Sequence, residues 1–135
     1  GNLVHPEHLR PGAVVCDVSR PRDVSMEVAQ ARKDVLVIDG GLVKVPGNVN
    51  FAFNYGTPPD LTFGCVAETM ILTFERHFKD YSVGKDLRLE QVEEINNLAA
   101  KHGFELAALR SFEHKLDEAQ IEQIKARARQ EVGNE

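Results

Sequence analysis

Two continuous apolar runs of strand length constrain the fold more than any other feature of the chain. They cover residues 13–18 and 35–39. Neither run alternates apolar with polar residues, so each is typical of a strand buried on both faces. Residues 24–32, between the runs, are compatible with a short helix. Two buried strands joined by a helical crossover are the arrangement expected of a parallel sheet.

The second half of the chain has a different pattern. Apolar residues recur at helical spacing across residues 63–78 and again across residues 89–102, where Gly103 is a natural helix stop. A further helix is expected after Asp117, because Asp117 and Gln120 have the spacing of a capping box. This half is therefore predicted to be mostly helical.

Together these patterns predict an α/β fold, with a partial Rossmann-like parallel sheet followed by a mostly helical C-terminal segment. We expect residues 1–60 to be the C-terminal strands of a nucleotide-binding domain and residues 61–135 to be the helical segment. A complete dinucleotide-binding fold needs more strands and a glycine-rich phosphate turn. No Gly-x-Gly-x-x-Gly occurs in the sequence, so the chain is predicted to be the C-terminal part of a larger protein.

Composition argues against several classes of function. The net charge is −5 and there is no dense basic block, so nucleic acids and anionic membranes are poor partners. No apolar run approaches the roughly 20 residues that span a bilayer. The two cysteines, Cys16 and Cys65, do not require a disulfide, which makes a reduced, cytoplasmic protein the expectation. No histidine pairs with a cysteine at metal-ligand spacing.

Cys65 is the candidate nucleophile. It lies in the first turn of the helix predicted from residue 63, where the helix dipole and the free N–H groups favour the thiolate. Cys16 is expected to be buried in its strand and unreactive. Glu68 lies one turn after Cys65 and could act as an acid toward a departing group. The alternatives are a small buried hydrophobic residue for Cys65 and an ordinary helix-surface charge for Glu68.

The ends of the two predicted strands form a candidate cofactor edge. In open α/β sheets, ligands bind beyond the C-terminal ends of the strands. The residues there with suitable chemistry are Ser19, Arg20, Asp39, Gly40 and Gly41. An arginine can meet a phosphate, and glycines allow close approach of a ligand to the backbone. The alternatives are a polar turn after the first strand and a simple chain reversal after the second.

Several short motifs resemble a known family. Residues 63–104 are similar to the C-terminal region of the long-chain acyl-(acyl-carrier-protein) reductases. The landmarks are Cys65-Val66-Ala67-Glu68-Thr69-Met70, Phe74-Glu75, Ser82-Val83-Gly84-Lys85-Asp86 and His102-Gly103-Phe104. Residues 9–21 and 35–41 resemble the last strands of that family's nucleotide-binding domain, a part generic to Rossmann dehydrogenases. Residues 17–23 also look like the strand end in glutamyl-tRNA reductases and shikimate dehydrogenases.

The resemblance implies an NADPH-dependent reduction of a fatty acyl thioester to an aldehyde. Acyl carrier protein or acyl-CoA would supply the acyl group, and Cys65 would take it as an enzyme thioester before hydride transfer. Two other functions stay open. One is a Rossmann dehydrogenase of the shikimate or amino-acid kind with a structural Cys65. The other is a non-catalytic interaction module, and self-association into a homo-oligomer is a further possibility.

Overall fold

The computed structural model describes residues 1–53 and 56–132, which form a mixed α/β structure. Its elements run in the order β1 (Val14–Asp17), α1 (Met26–Ala31), β2 (Leu36–Asp39), β3 (Leu42–Lys44), β4 (Leu61–Phe63), α2 (Gly64–Phe74), α3 (Leu89–His102), β5 (Glu105–Leu106), β6 (Arg110–Ser111), β7 (His114–Lys115) and α4 (Glu118–Val132). The α/β class is as predicted.

The chain divides into two compact units. The first combines Gly1–Gly40 with Ala108–Glu135, whose last three residues lie outside the described part, and the second is Gly41–Ala107. The sequence assigns residues 1–60 to a nucleotide-binding domain and residues 61–135 to a helical segment. That assignment stays a prediction.

The first unit contains the predicted parallel pair. Strands β1 and β2 are parallel, with Val14 opposite Leu36 and Asp17 opposite Asp39, and helix α1 lies in the crossover between them. Because the pair is parallel and in register, both strands end at the same edge. Its core is an aliphatic cluster closed by one aromatic residue: Val24, Val28, Val35, Val37 and Phe112.

The prediction that β1 is buried on both faces is wrong. Val14 is 61% exposed, Val18 is 69% exposed, and Cys16 between them is exposed as well. Alternate residues of a strand face opposite sides, so these three share one face. The core cluster packs against Val15, on the other face. This strand carries apolar residues on its exposed face as well as on its buried face, so its continuous apolar run did not indicate burial of both faces.

The second unit is built on an antiparallel sheet that the sequence did not predict. Its strand order is β4-β3-β5, with Leu42 opposite Phe63 and Val43 opposite Leu106. Helix α2 follows β4 without a linking residue and packs on α3. A buried cluster in this unit consists of Val45, Ala67, Ile71 and Phe104, and residues of α3 pack against it.

The ends of the helices test the sequence signals directly. Gly103 caps α3 with a φ of 78°, as predicted. Asp117 and Gln120 form the predicted capping box, with hydrogen bonds of 2.7 and 3.2 Å. Helix α2 ends at Phe74, however, so the helix predicted from the pattern over residues 63–78 extends too far at its C-terminal end. The chain turns at Arg76, whose φ is 54°, and that left-handed conformation ends the helix.

Candidate functional site

Helix α2 presents Cys65 at its start. Phe63 is the N-cap and Gly64 the first helical residue, so Cys65 is the second. The Gly64 N–H donates to the Gly41 carbonyl at 2.7 Å, which fixes the helix start to the residue that precedes β3. Cys65 itself is exposed. Its thiol therefore lies within reach of solvent and next to the positive end of an 11-residue helix.

Glu68 shares a helix face with Cys65 and holds a loop. The residue is half-buried, and its Oε1 accepts a hydrogen bond from the Ser82 hydroxyl at 2.5 Å. On the same face, the Thr69 hydroxyl donates to the Cys65 carbonyl at 2.9 Å. Glu68 is thus more than a solvated surface charge, because it ties the segment after α2 back onto the face that carries Cys65.

Tyr81 fixes the same loop to helix α3. Its hydroxyl lies 2.7 Å from the Glu94 carboxylate, to which it donates, and 3.1 Å from the Gln91 carbonyl. The Gln91 side chain in turn donates to the Tyr81 carbonyl at 2.7 Å. Burial, and after it the Glu94 carboxylate, raise the pKa of Tyr81 to about 12. The tyrosine therefore stays a neutral donor at physiological pH.

A groove runs between helix α2 and this anchored loop. It has a volume of about 460 Å³ and is lined on the helix side by Glu68, Thr69 and Leu72. Ser82 and Val83 line the loop side. Residues three and four apart on a helix are neighbours, so Cys65 lies at the N-terminal end of the helix face that forms this wall.

The end of strand β1 is organised by Asp17, which sequence reasoning did not select. One carboxylate oxygen accepts the Ser19 N–H at 3.0 Å, and the other accepts the N–H groups of Asp23 and Val24 at 3.0 and 2.9 Å. Burial of Asp17 would raise its pKa. The three N–H donors, led by Val24, and the Arg20 charge outweigh burial and leave the pKa below its usual value. Asp17 is thus a buried anion that shapes the loop.

Ser19 and Arg20 lie in the loop that Asp17 holds. The Ser19 hydroxyl donates to an Asp23 carboxylate oxygen at 2.7 Å, and one Arg20 nitrogen donates to the Ser19 carbonyl at 2.7 Å. Arg20 is exposed, whereas Ser19 is half-buried. Both residues are therefore at the predicted edge, and these hydrogen bonds are made within their own loop.

Asp39 is engaged by the protein on both of its carboxylate oxygens. Arg22 binds Oδ1 in an ion pair, and the Glu113 N–H donates to Oδ2 at 2.8 Å. The guanidinium of Arg22 also lies 5.5 Å from the centre of the Phe112 ring. The β6–β7 turn is thereby fastened to the end of β2. Short-range sequence patterns could not predict this arrangement, because Asp39 and Glu113 are 74 residues apart.

Gly40 and Gly41 have different structural reasons to be glycine. A Cβ on Gly40 would lie 2.6 Å from the Cys16 sulfur and 2.7 Å from a Val18 methyl carbon. The close approach at Gly40 is therefore made by the protein's own side chains. Gly41 has a φ of 72°, is exposed, and has open space where a Cβ would stand. Of the two, Gly41 is the one that leaves room beside the backbone.

These contacts show how far the chain's own residues fit a dinucleotide. A pyrophosphate needs several free backbone N–H groups at a helix start, but at this edge Asp17 takes the N–H groups of Ser19, Asp23 and Val24. Asp39 is likewise engaged. The edge therefore does not form a phosphate cradle by itself. Nor do the described residues hold any group of three or more potential metal ligands.

The predicted site residues fall into both units. Cys65 and Glu68 share the exposed face of α2, and Gly41 belongs to that unit too. Ser19, Arg20, Asp39 and Gly40 belong to the other. Within the described residues, every helix is too short or too polar to cross a bilayer.

Comparison with known proteins gives two informative similarities, while no family model matches the chain. The chain is 36% identical over 128 residues to the aminotransferase PigE of Serratia sp., and the aligned region covers 93% of this chain and 15% of PigE. It is 27% identical over 114 residues to a long-chain acyl-[acyl-carrier-protein] reductase of Synechococcus elongatus, covering 81% of this chain and 33% of that enzyme. The chain thus spans a third or less of these relatives' lengths. The similarity supports relationship to a part of an enzyme, in line with the motifs of residues 63–104.

Proposed function

We propose that this chain is part of an oxidoreductase that reduces a fatty acyl thioester to an aldehyde, with Cys65 as the acyl acceptor. The observation that carries the proposal is the exposed Cys65 at the start of α2, on the helix face that continues into a groove. The similarity to the acyl-[acyl-carrier-protein] reductase supports it. The acyl donor would be acyl carrier protein or acyl-CoA.

The chemical step assigned to this chain is a thioester exchange. The Cys65 thiolate attacks the carbonyl carbon of the substrate thioester, and the carrier's thiolate leaves and takes up a proton. The first N–H groups of a helix lack partners within the helix. That of Gly64 is taken by the Gly41 carbonyl, so those of Cys65 and Val66 are the ones suited to stabilise the developing oxyanion. Glu68, one turn further on, is the residue we assign to take up the proton of the Cys65 thiol and to deliver it to the departing sulfur.

The reductant is assigned to the longer protein. NADPH is the hydride donor implied by the family resemblance, and we propose that its phosphates are held by residues outside this chain. The parallel β1–β2 pair would then be the last strands of a Rossmann-like domain. In this proposal Ser19, Arg20, Gly40 and Gly41 border the cofactor, whereas Asp39 acts through Arg22 as a positioning residue.

The similarity to PigE favours a second candidate, a part of an aminotransferase. Pyridoxal-dependent amino transfer needs a lysine that forms a Schiff base within a shielded site. All seven lysines lie in the described part of the chain, and every one of them is exposed. If a longer relative of this chain transfers amino groups, the lysine would therefore come from elsewhere in the protein. We favour the reductase.

The proposal is tested in the longer protein that carries this chain, by following aldehyde formation from acyl-CoA with NADPH. Cys65→Ser should abolish turnover, because a serine hydroxyl cannot form the enzyme thioester. Cys16→Ser is the matched control, since its thiol is also exposed, and it should retain turnover. Near-normal activity of Cys65→Ser would instead favour a dehydrogenase with a structural Cys65.

A further inference from the structure

We propose that the groove along α2 seats the phosphopantetheine arm of the thioester substrate, with its phosphate at Arg76 and Lys79. This inference rests on the proposed function, because it takes Cys65 as the acyl acceptor. It goes further in assigning a binding site for the non-reacting part of the substrate. Four features of the second unit support it.

The first feature is continuity. The groove beside Glu68 and Leu72 and a second hollow of about 490 Å³ beside Glu75 and Leu98 share the residues 77–79 as a wall. The two hollows therefore adjoin and follow α2 from the turn after Cys65 to the end of the helix. An elongated ligand fits such a path better than a compact one.

The second feature is length. Cys65 and Arg76 are 11 residues apart, which is roughly 16 Å at a rise of about 1.5 Å per helical residue. A phosphopantetheine arm has about thirteen bonds from sulfur to phosphorus, the length of between about four and five extended residues, or roughly 15 Å. A thioester at Cys65 would thus bring the phosphate to the level of Arg76.

The third feature is charge. Arg76 and Lys79 line the far hollow, and neither has an ion-pair partner among residues 1–53 and 56–132. The two neighbouring glutamates are already engaged, Glu75 by Lys101 and His102 and Glu94 by Tyr81. The carbonyl end of a helix repels anions, so these two side-chain cations must hold the phosphate.

The fourth feature is backbone strain at Arg76. The N–H of Arg76 donates to the Thr73 carbonyl at 3.0 Å, and that of His77 to the Leu72 carbonyl at 2.8 Å. This is the hydrogen-bond pattern of a Schellman motif, in which the left-handed position is usually glycine. Arg76 occupies it with a φ of 54°. An arginine at a position that favours glycine is explained if its side chain binds a ligand.

The test measures acylation of Cys65 by mass spectrometry, without reductant, on this 135-residue chain. Three donors carry the same acyl group: acyl-CoA, acyl carrier protein, and an N-acetylcysteamine thioester that lacks the phosphate. We expect Arg76→Gly to lower the rate with both phosphate-bearing donors, relative to the truncated one, by about tenfold, the effect of losing a charge-assisted contact. Lys79→Ala should act in the same direction. Whichever phosphate-bearing donor reacts faster with the unaltered chain identifies the source of the arm.

Stability distinguishes binding from folding in this experiment. Arg76→Gly should raise the urea midpoint, because glycine adopts the left-handed conformation without a Cβ penalty, while its donor preference falls. The charge-matched control is Lys44→Ala, which lies outside the groove, and it should leave the preference unchanged. An unchanged preference in Arg76→Gly, with Cys65 still acylated, overturns this inference alone. Failure of every donor to acylate Cys65 overturns the proposed function and this inference with it.

Discussion

Replacing Asp39 with asparagine tests whether this residue fastens the C-terminal hairpin to the parallel sheet. The Asp39 side chain is 1% exposed and is paired with Arg22, whose side chain is 18% exposed. Its other oxygen accepts the Glu113 N–H. Asparagine is almost isosteric and can keep one acceptor, but it removes the negative charge and places an amide donor in the same small site.

The structure sets the size of the effect. Removing one partner of a buried ion pair costs about 3–5 kcal/mol, because the remaining charge is left without compensation. Arg22 retains some contact with solvent, so we expect Asp39→Asn to cost about 3 kcal/mol, at the lower end of that range. The comparison is Glu105→Gln. It breaks the Lys44–Glu105 pair, whose side chains are 53% and 66% exposed, and should cost less than about 0.5 kcal/mol.

The assay is native-state amide exchange together with urea unfolding. Because Asp39 and Glu113 lie in the same unit, amides of β2 and of the β6–β7 hairpin should lose protection in Asp39→Asn. Amides of α2 and α3, in the other unit, report whether the effect is local. If Asp39→Asn unfolds within about 0.5 kcal/mol of Glu105→Gln, the fastening role of Asp39 is refuted.

Three further predictions follow from the first unit. The folded-state pKa of Asp17 is below its ordinary value of 3.8, so the stabilising contribution of Asp17 is complete above that value and is lost as pH falls through the lowered pKa. Asp17→Asn should therefore flatten the acid limb of a profile of urea midpoint against pH, and an unchanged limb would argue against this role. Gly40→Ala should lower the free energy of unfolding by about 1–3 kcal/mol through overpacking. Adding Cys16→Ala should restore part of that loss, since the atom nearest to the new Cβ is the Cys16 sulfur. Lack of any rescue would contradict this contact. Finally, a maleimide should label Cys16 as well as Cys65 in the native chain, and protection of Cys16 would contradict its exposed position.

The parts of the fold that depend on local sequence were predictable. The parallel pair followed from two apolar runs with a crossover between them, and the stops and starts of helices followed from Gly103 and from the Asp117–Gln120 pair. Each of these signals acts within a few residues, so the sequence carries it directly.

The parts that depend on distant pairing were not predictable. Strand β5 has two residues and pairs with β3 about sixty positions earlier, so no apolar pattern marks it. The β6–β7 turn places Phe112 and Glu113 at φ values of 46° and 72°, although such turns usually carry glycine or asparagine. The hairpin therefore lacked its usual sequence signature.

The candidate site shows the same division. The start of α2 could be placed from the sequence, and Cys65 with it. The engagement of Asp39 by Arg22 and Glu113, and that of Glu68 by Ser82, depends on tertiary contacts. The residue type alone suggested a ligand contact for Asp39, but only the fold shows that its carboxylate is already satisfied.

The most direct test of the account is to locate the acyl group after the chain meets an acyl thioester without reductant. Both cysteines are exposed, so accessibility alone would label both, and Cys16 is an internal control. We predict an acyl adduct on Cys65 and little on Cys16 at equal times, because only Cys65 lies at a helix start, where backbone N–H groups without partners in the helix can stabilise the oxyanion that forms during attack. An adduct that forms on Cys16 as fast as on Cys65, or on neither, would contradict it.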